Sequence, residues 1–232
     1  MQSFKPLISA VIPVFNEELT VGEIIEETKK ALKGTGLPYE ILVVDDCSTD
    51  NSVKISLRNK VKVLALKKHR GKGYALRIGF KEAKGDIVVT IDSDGSHNPE
   101  ELPKLIDPII KGEGDFIIGS RFQNKANVFQ SRINRVGVSI LNFLIRILIR
   151  QRFTDSQSGY RAFKSSLIKK VNLKSNGYEI ESEMLIKAVK RGFKTKEIPI
   201  KCGQRTYGKS KLDPLKDGAK IFASVIAAFI GD

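Results

Sequence analysis

Two acidic clusters follow β-branched runs: Val43-Val44 leads into Asp45-Asp46, and Val89-Thr90-Ile91 leads into Asp92-Ser93-Asp94. Alternate residues leaving a strand can direct two carboxylates into one pocket. Hard oxygen ligands of this kind suit Mg²⁺ or Mn²⁺, which keep some water and complete their shells with substrate phosphates. A metal so held offsets charge building on a diphosphate leaving group. Unit charges about 4 Å apart at an effective dielectric near 20 interact by about 4 kcal/mol, enough to matter. Asp and Ser are also good N-caps, so one cluster alone could merely start the next helix. Two clusters at equivalent strand ends point to a site.

The anions such a metal would serve match the chain's charge. It has 232 residues with 40 Lys and Arg against 26 Asp and Glu, a formal net charge of +14. That excess calls for a polyanionic partner: nucleic acid, an anionic bilayer or phosphorylated substrates. There is no Trp, few aromatics and no zinc-finger or RNP-type motif, so no nucleic-acid partner is expected. Cys47 and Cys202 stand far apart, which suits a reducing compartment better than a disulfide scaffold. The N-terminal stretch has no signal-peptide pattern.

The elements that must carry these residues read clearly in the first half. Runs Ile8 to Phe15, Tyr39 to Val44, Val61 to Leu66, Asp86 to Ile91 and Asp115 to Gly119 predict strands. They are short, β-branched and bounded by turn-forming residues. Helices are expected at about 18–33, 52–59, 72–84 and 99–112. This alternation predicts an α/β fold with a mostly parallel, doubly wound, twisted sheet, covered by helices on both faces, that binds ligands at the carboxyl ends of its strands.

Farther on, Asn134, Arg135, Ser139, Asn142, Arg146 and Arg150 form one polar stripe on an otherwise apolar helix. The stretch from Val136 to Ile149 would span about 21 Å at ~1.5 Å per residue. A bilayer core is about 30 Å thick, so an interfacial helix, not a crossing one, is expected. Leu215 to Ile230 repeats the theme. A catalytic domain is expected over 1–213, including an interface helix at about 130–151, with an amphipathic C-terminal helix over 214–232.

The motifs, in order, are Val11-Ile12-Pro13-Val14-Phe15-Asn16-Glu17-Glu18, Val43 to Asp50, Gly71 to Gly79, Ala83-Lys84-Gly85-Asp86 and Asp92 to Glu100, then Gly119-Ser120-Arg121-Phe122, Asp155 to Phe163, and Arg205 to Lys211. Together the chain resembles the family-2 glycosyltransferases of GT-A fold, and within them the dolichyl- or polyprenyl-phosphate mannose synthases. The resemblance covers about residues 7–213. It implies that Pro13, Phe15, Glu17, Val44 and Asp46 form the nucleotide pocket. Asp46 would accept a hydrogen bond from base or ribose, and Asp92, Ser93 and Asp94 would flank the diphosphate. Asp94 would be the more direct metal ligand, with Asp92 and Ser96 completing the protein set. Ser96 stands where many dolichyl members carry Gln. Arg121 and Arg132, or Arg135 in its stead, would hold the acceptor phosphate, and Arg205 and Lys211 would close over the donor.

The implied reaction is inverting transfer of a hexose, with mannose from GDP-mannose expected first, to dolichyl or polyprenyl phosphate, giving a β-linked product. UDP-glucose or UDP-N-acetylglucosamine is the alternative donor. A rival enzyme transfers sugar to a glycan hydroxyl with Glu181 or Glu183 as base. A rival of another class is a basic membrane- or nucleic-acid-binding module. A peripheral location on the cytoplasmic face of a membrane goes with the first reading. His69 reads as solvated or near phosphate, His97 as a neighbour of the metal motif, and Gly71-Lys72-Gly73, which lacks Walker spacing, as a loop before a helix.

Overall fold

The computed structural model describes residues 5–123, 132–203, 205, 207 and 216–231, leaving aside the side chains of 132–136. In chain order the elements are β1 (Ile8–Val14), α1 (Val21–Gly34), β2 (Tyr39–Asp45), α2 (Ser52–Arg58), β3 (Lys62–Ala65), α3 (Lys72–Glu82) and β4 (Ile87–Thr90). A short 3-10 turn (Pro99–Glu101) leads into α4 (Leu102–Ile110), followed by β5 (Phe116–Ser120), α5 (Arg132–Ile149) and β6 (Arg161–Lys164). The chain continues through α6 (Ser166–Lys170), α7 (Ile180–Lys190), β7 (Thr195–Pro199) and α8 (Lys216–Ile230).

Seven strands form one sheet in the order β3-β2-β1-β4-β6-β5-β7. The first four run parallel, as expected. The sheet is mostly parallel, as expected of a GT-A fold: β6 runs antiparallel to both β4 and β5, and β7 pairs parallel with β5. Neither β6 nor β7 was predicted. β6 has four residues with a charge at each end, and β7 reads Thr-Lys-Glu-Ile-Pro on the sheet edge, so neither carries an apolar run.

Every residue of β1 is buried, as a central strand with both faces covered requires. Its side chains alternate between two cores. Ile8, Ala10, Ile12 and Val14 pack with α1 and α4 residues such as Ile25 and Leu105, whereas Val11 packs with Val44, Leu76 and Phe80 on the α3 side. α5, α7 and α8 close that second side through Ile145, Leu185 and Val225. Gly79 lets α3 lie close: a Cβ there would stand 2.4 Å from Val11 Cγ1 and 3.0 Å from Val44 Cγ2. Among the described residues no helix is long and apolar enough to cross a membrane.

Candidate active site

β1, β2 and β4 end side by side, and the residues just beyond them line a cleft of about 590 Å³. Phe15 follows β1, Asp46 follows β2, and Asp92-Ser93-Asp94 follow β4. The far wall is Asn176 to Glu179, with Asp217 and Lys220 from the start of α8.

At one end Phe15 stacks on His69, with ring centroids 4.0 Å apart and planes 23° from parallel. His69 Nδ1 lies 2.9 Å from Asp46 Oδ2. The buried Asp46 carboxylate also accepts N–H bonds from Arg70 at 2.7 Å and Gly71 at 2.6 Å. Asp46 thus anchors loop 69–71 to the end of β2 while facing the cleft. Val44, expected in the pocket, is instead fully buried beneath α3. The period of two along β2 turns it to the opposite side from Val43. Pro13 lines the cleft, and its carbonyl accepts the Ser93 hydroxyl at 2.8 Å. Thr20 donates to the Ser93 carbonyl at 2.6 Å, pinning the acidic triplet to the segment after β1.

The cleft carboxylates meet cations. Arg205 pairs with Glu17 and lies 3.4 Å from Asp94. Lys72 Nζ lies 2.7 Å from Asp92 Oδ1 and 2.9 Å from Glu181 Oε1. Burial pushes the Asp92 pKa up, but the ammonium of Lys72, then His97, more than offsets this and holds it at about 2. Burial likewise works against the Lys72 charge, and Asp92 and Glu181 together raise its pKa above the usual lysine range. Asp94 is braced by Ser96, whose hydroxyl and N–H donate to Oδ1 at 2.7 and 3.0 Å. Ser96 therefore braces Asp94, the acid expected to ligate the metal. The buried His97 stacks on Tyr160 and stands 3.8 Å from Asp92.

Asp92 and Asp94, each about a quarter exposed to the cleft, fit a hard divalent cation that takes its other ligands from phosphate and water. Among the described residues no group of three His, Cys, Asp or Glu side chains could hold a metal by itself.

Arg121 is committed to the fully buried Asp155 through a two-pronged pair, Nε to Oδ2 at 2.7 Å and Nη2 to Oδ1 at 2.8 Å. Asp155 and Thr154 in turn donate backbone N–H groups to Glu197, each at 2.7 Å. Arg132 opens α5, Lys211 lies outside the described residues, and the roles expected of both rest on sequence. Of the candidate bases, Glu181 meets Lys72 and Glu183 pairs with Lys187 and accepts N–H bonds from Lys174 and Ser175, while the nearby Glu179 accepts those of Asn176 and Gly177.

Two motifs noted in the sequence take structural roles that it did not assign. Gly71-Lys72-Gly73 is no free loop, because it presses against 175–177: a Cβ at Gly71 would stand 2.5 Å from the Asn176 oxygen, and one at Gly73 2.7 Å from that of Gly177. The flanking glycines were the available signal. The second is the Asp155 to Phe163 segment, which scaffolds the site. Arg161 donates to the carbonyls of Ser156, Ser158 and Glu181, each at 2.7 Å, and Tyr160 donates to that of Asn98 at 3.0 Å.

Residues 9–172 match the profile of Glycosyl transferase family 2, and the chain belongs to that family. It is 36% identical to a dolichol-phosphate mannosyltransferase of Pyrococcus furiosus over 213 residues, which is 88% of this chain and 59% of that protein. It is 32% identical to a UDP-N-acetylglucosamine–dolichyl-phosphate N-acetylglucosaminyltransferase of Methanococcus voltae, covering 97% of both. Glucosyl-3-phosphoglycerate synthase of Mycobacterium tuberculosis, solved with Mn²⁺, UDP and glucosyl-3-phosphoglycerate, superimposes with a TM-score of 0.79. That likeness is at 25% identity over 96% of this chain and 80% of the other.

Proposed function

We propose that the enzyme transfers a hexose from a nucleoside-diphosphate sugar to a polyprenyl phosphate, with inversion at the anomeric carbon. One observation carries the choice of acceptor: among the described residues, each carboxylate lining the cleft is already engaged. Glu17 and Asp94 meet Arg205, Asp92 meets Lys72, Asp46 holds loop 69–71, Glu179 accepts two backbone N–H groups, and Asp217 lies 3.7 Å from Lys220. A hydroxyl acceptor needs a positioned base. A phosphate monoester is already anionic at neutral pH, its second pKa being near 6, and needs none.

A phosphate oxygen then forms its bond to the anomeric carbon as the bond to the diphosphate breaks. The nucleoside diphosphate departs with the electron pair, and no proton has to move. Catalysis reduces to alignment and charge neutralisation. Phe15 and His69 supply an aromatic floor for the base, and Asp46 supports that end of the cleft. Arg205, with Lys211 beside it in sequence, neutralises the donor phosphates. Arg121 and Arg132 are the proposed acceptor cations, and Asp155 fixes the direction of Arg121. A divalent metal held by Asp94 and Asp92 would supply the remaining positive charge on the leaving diphosphate.

GDP-mannose is the first donor proposed, on the likeness to the Pyrococcus mannosyltransferase. The full-length match to the Methanococcus relative favours a UDP-sugar as the second. The test is a panel of GDP- and UDP-sugars with dolichyl phosphate and Mn²⁺, products resolved by mass. One lipid-phosphate hexose is expected. Absence of a lipid-phosphate sugar with every donor would overturn the acceptor assignment.

A further inference from the structure

Each acid of the Asp92–Asp94 pair already faces an internal cation, and the two cations are held differently. Arg205 reaches Asp94 at 3.4 Å from a segment near the chain's end. Lys72 reaches Asp92 at 2.7 Å from the first turn of α3, and its backbone is wedged by Gly71 and Gly73 against 175–177. Gly159 makes the space for this contact. A Cβ there would stand 2.7 Å from Asp92 Oδ2 and 2.8 Å from Lys72 Nζ. On the far side Nζ meets the buried Glu181 at 2.9 Å, and the Tyr178 ring centroid lies 6.0 Å away.

We propose that Lys72 is a positioning residue that serves as the resident counter-ion of Asp92, so that a divalent metal binds the acidic pair weakly alone and tightly only together with a nucleoside diphosphate. The inference rests on the metal and donor reading above. A divalent ion approaching Asp92 meets a fixed positive charge on the same carboxylate, in a partly buried setting where charges are poorly screened. A diphosphate brings its own negative charge and oxygen ligands and reverses that balance. Glu181 keeps Lys72 in its seat when Asp92 turns to a metal, which a single ion pair would not do. Under this arrangement the metal enters with the donor, and the empty cleft does not hoard it.

The test is a titration of free Mn²⁺ by electron paramagnetic resonance, using the whole chain without sugar or lipid. For the wild type, GDP or UDP is expected to tighten Mn²⁺ binding by at least about tenfold. Lys72→Met is expected to bind Mn²⁺ alone at least about tenfold more tightly than wild type, and to gain less from nucleotide, while Lys72→Arg stays near wild type. Equal or weaker Mn²⁺ binding by folded Lys72→Met overturns the proposal, because it would mean that Lys72 only packs or only orients Asp92. Should that variant fail to fold, the wild-type comparison decides. Tight Mn²⁺ binding that neither nucleotide improves overturns the proposal, as does no Mn²⁺ binding with either one. No step of the titration depends on sugar transfer, so its failure is separate from failure of the acceptor assignment.

Discussion

Asp92 and Asp94 share a motif but not an environment, and their variants should separate. Asp92 belongs to a charge cluster with Lys72 and Glu181, the latter almost fully buried. Neutralising Asp92 leaves Lys72 paired with Glu181 but removes a 2.7 Å charged contact from a largely buried cluster. Asp92→Asn is therefore expected to cost about 2 kcal/mol of stability, the scale of a hydrogen bond to a charged group, or roughly 4–8 °C in Tm for a chain of this size. Asp94 meets Arg205 only at 3.4 Å, and Arg205 retains Glu17 when Asp94 is neutralised, so Asp94→Asn should melt close to wild type. Both should lose about a hundredfold or more in turnover. Calorimetry alongside a transfer assay checks the split, and equal melting points would contradict it. The acidic triplet was legible in sequence because its residue types admit few chemistries. Lys72 was not, since a lysine between glycines declares its partners only when the fold brings Asp92 and Glu181, 20 and 109 positions away, to the same place. Arg121 was legible as important, yet its partner Asp155 lies across an intervening helix and carried no sign of pairing.

At the level of elements, the parallel half was readable because β1, β2 and β4 carry the continuous apolar runs that two-sided burial demands. β6 and β7 were hidden because their pairing is set by neighbours, not by their own pattern. The close packing of α3 on β1 supplies a test. Gly79→Ala gains about 1 kcal/mol of helix propensity, but its methyl would collide with Val11, and overpacking of this sort costs about 1–3 kcal/mol. A Cβ contact of 2.4 Å on a branched side chain inside a strand puts the cost at the high end, so net destabilisation is expected. Val11→Ala in the same chain should recover part of it, a coupling measurable by denaturant titration. α7 offers a pH test. Burial raises the Glu183 pKa, but hydrogen bonds from Ser175 and Lys174, with Lys187 beside them, bring it below the ordinary 4.5. A carboxylate lowered on folding contributes stability that is present above its unfolded pKa and lost as pH falls through the folded one. The stability gap between wild type and Glu183→Gln should thus be full at neutral pH and shrink below about 4.5. A gap that widens in acid would refute the assignment.

On the scale of the whole molecule, the charge of +14 exceeds what one cleft can use, and α5 suggests where the surplus acts. One side of α5 is rooted in the core through Leu141 and Ile145. Ile140, Phe143 and Ile147, spaced by three and four residues, form an outward stripe with exposures of 61%, 62% and 59%. Arg146 and Arg150 are exposed along its flank. Apolar side chains that gain by leaving water, beside cations that gain by meeting lipid phosphates, fit the interface of an anionic bilayer. A lipid-borne acceptor would be presented there. Each basic residue near such a surface contributes about 1 kcal/mol. Replacing Arg146 and Arg150 with Gln should therefore weaken partition onto phosphatidylserine vesicles by roughly thirtyfold at low salt. The difference should shrink as salt shortens the screening length and vanish on uncharged vesicles. Phe143→Ser should weaken binding to both vesicle types, because its contribution is burial rather than charge. Co-sedimentation unchanged by the arginine pair would assign the excess charge to phosphorylated substrates alone.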